Sequence, residues 1–321
     1  ATGRNWLHES PGMNSEAHFH IVHTTEYQYS DSVLASWQLA RLTPRELPWQ
    51  TLNAHRLELE PQPDMRESCS DYFGNVLTRF NLQGTHSYLR VSAVSYVCIQ
   101  SHAPTPSLRS IAWEQVRDMM RRVGIKPHEF DDSISLAQPF CLHSSLIPLD
   151  RALADYALRS FTPRRPWFEA VHELMQRIHE DFAFDNEATT VTTPVLQVLA
   201  QGRGVCQDFA HLMIACLRSL GLPARYMSGY IQTFTTPGAE RLQGADASHA
   251  WVGAFCPDLG WIEFDPTNAK LADTEFITLA WGRDFSDVTP LRGVIFGGGS
   301  QILRVGVSVE PYHDRITGHN V

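Results

Sequence analysis

Cys206 stands at a position where a cysteine can act as a nucleophile. Two glycines, Gly202 and Gly204, precede it, and a long apolar helical pattern begins directly after it. The first turn of a helix carries N–H groups without intrahelical acceptors and the positive end of the helix dipole, and both stabilise a thiolate relative to a thiol. A second cysteine, Cys216, falls on the apolar face of the same predicted helix and is better explained as a small core residue. The sequence therefore predicts a reactive thiolate at residue 206.

A histidine and an aspartate that follow Cys206 in the chain can supply the rest of a thiol-based catalytic site. His249 lies within a predicted strand, and Asp265 ends another predicted strand just before Pro266. Alone, one histidine among 15 means little, and an aspartate before a proline is most simply a turn cap. Together, the three residues have the types and the order of a nucleophile, its general base and the residue that orients the base. We therefore predict Cys206, His249 and Asp265 as the catalytic residues.

Motifs for other chemistries are absent from the sequence. The glycines at 202–204 lack the Gly-Lys-Ser/Thr ending of a phosphate loop, those at 297–299 lack the strand and helix of a dinucleotide site, and there is no His-Glu-x-x-His. The six cysteines include no Cys-x-x-Cys pair, and His18, His20 and His23 fit the face of a strand better than a metal site. We therefore predict neither a cofactor nor a metal ion.

Composition places the chain among ordinary globular proteins. Of its 321 residues, 43% are hydrophobic and 19% are charged, which suits one large domain or two domains with separate cores. The formal net charge of −9 argues against nucleic acid or an anionic membrane as a partner, and no apolar run is long enough to span a bilayer. The scattered cysteines favour reduced thiols and a cytoplasmic location, although a signal peptide that had been removed would leave no trace.

The first third of the chain is predicted to be β-structure. Period-2 alternation at 18–23 and 57–60 and a β-branched run at 91–99 indicate short strands, which proline and glycine turns separate. This spacing is typical of an antiparallel, sandwich-like domain, and we assign it to residues 13–103. Residues 1–12 are predicted to be a leader or a sequence added for expression. Residues 104–148, with two prolines near the start, are predicted to be a connector.

The remainder, residues 149–321, is predicted to be a catalytic domain of the α+β class. Helical periodicity covers 149–161 and 168–182, and Thr193-Pro194 is predicted to cap a short helix. The helix that begins at Cys206 has one apolar face and is stopped by Gly221-Leu222-Pro223. Strands are predicted at 224–233, 247–256, 261–265 and 302–309, and a loop near the site at 234–244. A helix followed by antiparallel strands indicates that the helix bearing Cys206 packs on a sheet.

Three segments together carry a resemblance to a known family, namely 202–211 (Gly-Arg-Gly-Val-Cys-Gln-Asp-Phe-Ala-His), 247–251 (Ala-Ser-His-Ala-Trp) and 264–268 (Phe-Asp-Pro-Thr-Asn). They resemble the motifs of the transglutaminase-like superfamily. Residues 281–285 (Trp-Gly-Arg-Asp-Phe) are similar to a segment of its bacterial members, which are often described as candidate cysteine proteases. The resemblance implies a papain-like transglutaminase core behind an N-terminal β-rich domain.

The resemblance also implies a role for each catalytic residue. Cys206 corresponds to the nucleophile, His249 to the general base and acid, and Asp265 to the residue that orients the histidine, with the backbone N–H of Cys206 as an oxyanion donor. Animal transglutaminases use an upstream tryptophan near the oxyanion. Trp167 lies in that region, but no motif anchors the match and we do not assign it. The extra C-terminal β-domains and the acidic calcium loop of those enzymes have no counterpart here, which argues against calcium-dependent cross-linking.

We therefore expect a thiol-dependent amidohydrolase or peptidase that acts on a peptide or protein amide through an acyl-thioester. Two alternatives stay open at this point. The acyl group can pass to an amine instead of water, as in transglutaminase-type transfer, because both reactions share the thioester. The chain can also be a non-catalytic binding or scaffold protein on the same fold, since the superfamily includes members without a triad. The sequence predicts no oligomeric state.

Overall fold

The structure is a computed structural model that describes residues 16–104, 109–123, 125–126, 132–232 and 248–312. The predicted leader at 1–12 and the predicted loop at 234–244 lie outside the described residues. Within them, helices occupy the middle of the chain, where the sequence changes from period-2 to helical periodicity. Their bounds are α1 Trp113–Val123, α2 Asp132–Ala137, α3 Arg151–Leu158, α4 Trp167–Asp181, α5 Val195–Gln201, α6 Cys206–Ser219 and α7 Phe285–Val288.

A seven-stranded antiparallel sheet forms the first half of the molecule. Its first five strands are β1 Glu16–Ala40, β2 Gln50–Glu60, β3 Met65–Ser70, β4 Val76–Leu82 and β5 His86–Gln100. They lie in the order β2-β5-β1-β4-β3. The long β1 pairs with β5 along its first part and with β4 along its last part, with a register break between Gln28 and Val33. Because β1 serves both ends of the sheet, the sheet curves around its own apolar core, which includes Phe80, Leu89 and Val91.

The last two strands of the chain return to this sheet. Strands β13 Leu291–Gly297 and β14 Gln301–Pro311 both pair antiparallel with β1. The sequence assigns residues 149–321 to the catalytic half, whereas the structure places 291–311 in the sheet of the first half. The α+β class and the β-rich first half are confirmed. The predicted sandwich-like arrangement takes the form of one curved sheet.

A five-stranded sheet in the second half supports the helix that begins at Cys206. Its strands are β8 Ala224–Ile231, β9 His249–Cys256, β10 Gly260–Asp265, β11 Lys270–Leu271 and β12 Phe276–Gly282, in the order β11-β10-β9-β8-β12. A two-residue parallel bridge joins β6 Ala183–Phe184 to β7 Arg203–Gly204 just before α6. Helix α6 is buried along almost its whole length and packs with Ala250, Val252 and Ala254 of β9 in the main core. The predicted packing of this helix on an antiparallel sheet is therefore confirmed.

Two smaller features complete the comparison with the sequence. Pro194 takes the N-cap position of α5 rather than the first helical position, and the Thr193 hydroxyl instead accepts a hydrogen bond from the Thr190 N–H. None of the helices in the described ranges is long and apolar enough to cross a membrane.

Candidate active site

The backbone before α6 fixes the position of Cys206. The carbonyls of Gly202 and Gly204 accept hydrogen bonds from the N–H groups of Ala183 and Asp185, each 2.9 Å long, so the approach to the helix is tied to the neighbouring strand. Gly202 has a φ of +66° and ends α5 in the left-handed conformation that glycine adopts at least cost. Cys206 is then the first residue of α6, where its own N–H precedes any intrahelical acceptor.

A buried aspartate two residues after Cys206 locks this turn. Asp208 accepts hydrogen bonds from the Val205 N–H (2.8 Å) and the Thr189 hydroxyl (2.6 Å). A Cβ on Gly204 would lie 2.7 Å from the Asp208 carboxylate, so only glycine fits between them. Burial raises the pKa of Asp208, and the bonds from Thr189 and Val205 oppose that shift. The acid at the third helical position therefore holds the backbone from which Cys206 projects.

His249 and Asp265 form a fully buried pair on neighbouring strands. His249 begins β9, Asp265 ends β10, and Nε2 of the imidazole lies 2.8 Å from Oδ2 of the carboxylate. Asn268 Nδ2 donates to the same oxygen at 2.7 Å, while the Thr267 N–H donates to Oδ1 at 2.9 Å. Burial opposes ionisation of Asp265, but His249 and these donors lower its pKa below the usual value. The carboxylate therefore stays charged and fixes the orientation of the imidazole.

The second ring nitrogen of His249 is available to the thiol of Cys206. Nδ1 is buried and has no hydrogen-bond partner in the described ranges, while Nε2 is the atom engaged by Asp265. Burial alone would lower the pKa of His249, but Asp265 and then the Cys206 thiol outweigh it and raise the pKa above 6.5. The structure thus brings the three predicted residues together in the order thiol, imidazole, carboxylate. A protonated imidazole held beside a thiol can stabilise a thiolate and later donate its proton to a leaving group.

Two residues beyond the predicted three contribute to this arrangement. Asn268 donates a hydrogen bond to the carboxylate of Asp265. It is the last residue of the segment 264–268, but no role for it is predicted from the sequence. Tyr226 of β8 lies close to the site, since Cys206 and Asp208 are among the groups that, after burial, raise its pKa. Tyr226 pairs with Val252 of β9, and both side chains lie on the face of the sheet that packs against α6. Alternation along β8 does not by itself show which of its two faces this is.

Trp167 occupies the first turn of α4 rather than a position that the structure ties to the thiol. Its side chain is completely buried and packs edge to face with Phe264 of β10, at 6.2 Å between the ring centroids. Its indole N–H has no acceptor in the described ranges. The backbone N–H of Cys206, at the start of α6, stays the predicted oxyanion donor.

A group of possible metal ligands lies outside this site. The register of β1 with β5 places His18 opposite Cys98, and with Glu16 they bring one nitrogen, one sulfur and one oxygen within 4.8 Å of one another. The sequence alone groups His18 with His20 and His23, because the approach of Cys98 to His18 depends on the pairing of β1 with β5. The absence of a metal requirement stays a prediction.

Two family profiles match the chain. Residues 19–98 match the bacterial transglutaminase-like N-terminal region, and residues 151–266, which contain all three catalytic candidates, match the transglutaminase-like superfamily. A solved structure from Cytophaga hutchinsonii, described as a candidate cysteine protease, superimposes with a TM-score of 0.71 at 21% identity. The superposition covers 94% of this chain and 93% of that one, so the two proteins share the fold over their whole length.

Sequence relatives extend over the same length. An uncharacterised protein of Mycobacterium tuberculosis is 38% identical over 304 residues, which is 92% of this chain and 93% of the relative. A Mycobacterium leprae protein, also uncharacterised, is 32% identical over 90% of this chain and 97% of its own. A protein-glutamine gamma-glutamyltransferase of Pseudomonas aeruginosa is 35% identical over 125 residues, covering 37% of this chain and 18% of that enzyme.

Proposed function

The chain belongs to the transglutaminase-like superfamily, and from that premise we propose that it is a cysteine-dependent amidohydrolase or peptidase. The substrate in this proposal is a peptide or protein amide, which forms an acyl-thioester on Cys206. The observation that carries the proposal is the buried His249–Asp265 pair, whose unpartnered Nδ1 is left for the thiol of Cys206. A scaffold protein has no need to bury an imidazole against a carboxylate and leave its other nitrogen open.

The proposed reaction has two stages that share one histidine. The Cys206 thiolate attacks the amide carbonyl, and the negative oxygen that forms accepts a hydrogen bond from the N–H of Cys206 in the first turn of α6. Nδ1 of the His249 imidazolium then gives its proton to the leaving amine as the C–N bond breaks, which leaves the thioester. In the second stage Nδ1 takes a proton from water, the hydroxide attacks the thioester, and the thiolate leaves. Asp265 stays ionised throughout and keeps Nε2–H in place.

Acyl transfer to an amine is the second candidate. The resemblance to the Pseudomonas aeruginosa gamma-glutamyltransferase over 125 residues supports it. In that reaction a primary amine replaces water in the second stage, and His249 accepts the proton of the amine. The two candidates differ only in the acceptor, so they require an experiment that presents both acceptors at once.

The test of the shared mechanism is labelling with a thiol-directed peptide probe, followed by mapping of the modified residue. We expect the label on Cys206 and its loss in Cys206→Ala and His249→Ala, while Cys69→Ala, which changes a free cysteine on β3, keeps full labelling. Equal labelling of the parent and His249→Ala would contradict the proposal. A glutamine peptide offered with a labelled primary amine then separates the candidates, because hydrolysis yields only the acid and transfer yields the amide.

We also propose that the protein works in a reducing compartment, the cytoplasm. All six cysteines are free, and Cys216 and Cys256 are buried without a partner sulfur. Disulfides are rare where thioredoxin and glutathione keep thiols reduced, and a thiolate nucleophile requires a reduced sulfur. Cell fractionation with an antibody against the chain tests this location. Recovery with periplasmic markers would contradict it.

A further inference from the structure

We infer that the protein has a second ligand site, a pocket in which the buried guanidinium of Arg225 binds the carboxylate of an organic acid. The pocket lies where the five-stranded sheet meets the turn between β3 and β4 and the segment at 136–140. Its residues are separate from Cys206, His249 and Asp265, and the inference does not depend on the reaction proposed above.

The fold builds a position for the Arg225 side chain. Arg225 of β8 pairs with Gly253 of β9, and a Cβ at Gly253 would lie 2.9 Å from Nε of Arg225, so the glycine leaves the room that the side chain occupies. The guanidinium then lies over two indole rings, 4.3 Å from the centroid of Trp261 and 3.9 Å from that of Trp281. Two aromatic rings fix the plane of the cation and leave its N–H edge as the polar part of the site.

Arg225 lacks the acceptors that a buried cation requires. The residue is only 5% exposed, yet across the described ranges its guanidinium makes no hydrogen bond and has no carboxylate within 4 Å, and Nε is completely buried without an acceptor. Glu263 is an opposite charge that acts on it from more than 4 Å away. Its Oε2 accepts from the Trp251 indole N–H at 2.6 Å and its Oε1 is buried without a partner, so no oxygen of Glu263 reaches the guanidinium. An arginine presents five N–H donors, and leaving them unpaired inside a protein is costly. A bound anion would supply the missing acceptors.

The charges around the pocket favour an anion. Arg45 also lies over Trp281, 3.4 Å from the ring centroid, so two guanidinium groups contact one indole. The nearby carboxylate of Asp71 is already paired with Arg41 at 3.1 Å. Burial lowers the pKa of Arg225 to about 9, which leaves it protonated at neutral pH. Arg225 and Arg45 together outnumber the one carboxylate that acts on Arg225, Glu263, so a negative group that enters the pocket meets a net positive charge.

The walls of the pocket set the rest of the ligand. The cavity holds about 490 Å³, a size typical of small-molecule sites, and apart from Arg225 its lining is mostly aromatic or aliphatic. The lining includes Tyr72, Phe73, Leu136, Phe140, Trp261 and Trp281. Tyr72 and Leu136, which are 83% and 70% exposed, add apolar surface to this lining. These walls suit a molecule with an apolar or aromatic body and one carboxylate, such as an acylated aromatic amino acid or the C-terminus of a peptide.

The pocket is distinct from the catalytic site, although His249 and Gly253 lie on the same face of β9, opposite the face that packs α6. His249 and Gly253 are four residues apart on β9, which is about 13 Å along a strand. Between them Trp251 is buried with Met227 and Phe276, so packed side chains separate the two sites. A ligand held by Arg225 therefore does not occupy the position of the amide that Cys206 attacks.

Binding of N-acetyl-phenylalanine to the full chain tests the inference, with N-acetyl-phenylalaninamide as the neutral control. Isothermal titration at pH 7 should give a Kd at least about tenfold lower for the acid than for the amide, since only the acid offers two acceptor oxygens to the guanidinium. The quenching of Trp261 and Trp281 fluorescence should follow the same isotherm. Equal affinity for the acid and the amide, or no binding of the acid at 10 mM, would overturn the inference.

Variants locate the binding and keep the test independent of folding. Arg225→Gln should abolish the preference for the acid, but it changes a buried residue. Leu136→Glu provides the second test, because Leu136 is 70% exposed and the new carboxylate would repel an anion at the mouth. It should raise the Kd of the acid about tenfold, whereas Leu158→Glu, on exposed α3 surface away from the lining, should leave it unchanged. Equal effects of Leu136→Glu and Leu158→Glu would contradict the assigned pocket.

Two further ligands distinguish the sources of the carboxylate. A seven-residue peptide that ends in phenylalanine with a free C-terminus should match the affinity of the acid if the site takes peptide ends. Binding of the acid without the peptide would assign the site to free organic acids, and both outcomes support the inference. Tight binding of inorganic phosphate with no binding of either organic acid would refute the apolar part of the site.

Discussion

Replacing Asp265 by asparagine exchanges one oxygen for an amino group inside a fully buried site. The parent carboxylate accepts hydrogen bonds on both oxygens, from Thr267 on Oδ1 and from His249 and Asn268 on Oδ2. An amide has only one acceptor oxygen, so its NH2 must face a donor whichever way it rotates. If the NH2 faces His249, Nε2 has to lose its proton and Nδ1 has to keep one. In that tautomer Nδ1 cannot accept the proton of the Cys206 thiol.

The loss of charge has a magnitude that follows from the geometry. Two unit charges 2.8 Å apart interact by about 6 kcal/mol at an effective dielectric constant of 20, equivalent to roughly four pKa units. Without that attraction, burial dominates, and the pKa of His249 falls from above its ordinary value to below it. The thiolate–imidazolium pair is then not populated at neutral pH. We expect kcat to fall about 10⁴-fold, as for the equivalent replacement in a serine protease triad.

Alkylation of Cys206 by iodoacetamide measures this without a known substrate. Mass spectrometry resolves residue 206 from the other five cysteines, and rates are taken from pH 5 to 9. The parent should react rapidly already at pH 6, because the imidazolium stabilises the thiolate there. Asp265→Asn should react about 100-fold more slowly at pH 6, because His249 loses the carboxylate that raises its pKa and no longer stands protonated beside the sulfur. Asp155→Asn, an exposed carboxylate on α3, serves as the control. Superimposable profiles for a folded Asp265→Asn and the parent would refute the reasoning.

Two further predictions concern the support of the site and the junction between the sheets. Gly204→Ala places a Cβ 2.7 Å from a carboxylate oxygen of Asp208 and should lower the free energy of unfolding by about 1–3 kcal/mol. Gly84→Ala, whose Cβ would have no atom within 4 Å, should change that free energy little. Equal losses for the two variants in urea titrations would contradict this. His23, buried against Tyr230, has its pKa lowered by burial from 6.5 to about 4, so its contribution is present above pH 6.5 and is lost as the pH falls toward 4. Between pH 7.5 and 5 the free energy of unfolding of the parent should fall by about 2 kcal/mol more than that of His23→Gln. Parallel curves of this free energy against pH for the two proteins would disprove the role assigned to His23.

The positions of the three proposed catalytic residues in the fold could be predicted because their signals are local. A cysteine after two glycines at the start of an apolar helix, and an aspartate at the end of a strand, are legible within a few residues. The same holds for the strands that carry them, whose observed bounds differ from the predicted ones by a few residues at most. The role of Asn268 is not local, since its amide matters only once Asp265 is oriented toward His249.

Long-range pairing explains what the sequence could not predict. Alternation at 302–309 indicates a strand, but nothing within that segment specifies that it pairs with β1 at the other end of the chain. Arg225 is a similar case, because a charged residue at the start of a strand is most simply expected at the surface. It is buried only because Trp261 and Trp281, which are distant in sequence, pack on it and because Gly253 leaves the room.

The β-rich half also covers the five-stranded sheet at its free edge, strand β12. Gln50 accepts a hydrogen bond from the Thr278 N–H and donates one to the Thr278 carbonyl, both 2.8 Å long, and Asn75 makes the same pair of contacts with Trp281 at 2.9 Å. Side-chain amides thus take the place of a sixth strand. An uncovered edge would leave these groups unpaired and open to other chains. The turn that leads into Asn75 also lines the Arg225 pocket, so one segment takes part both in the junction between the two halves and in the pocket. A ligand that contacts both Phe73 and Trp281 would therefore stabilise the junction between the β-rich half and the edge of the five-stranded sheet.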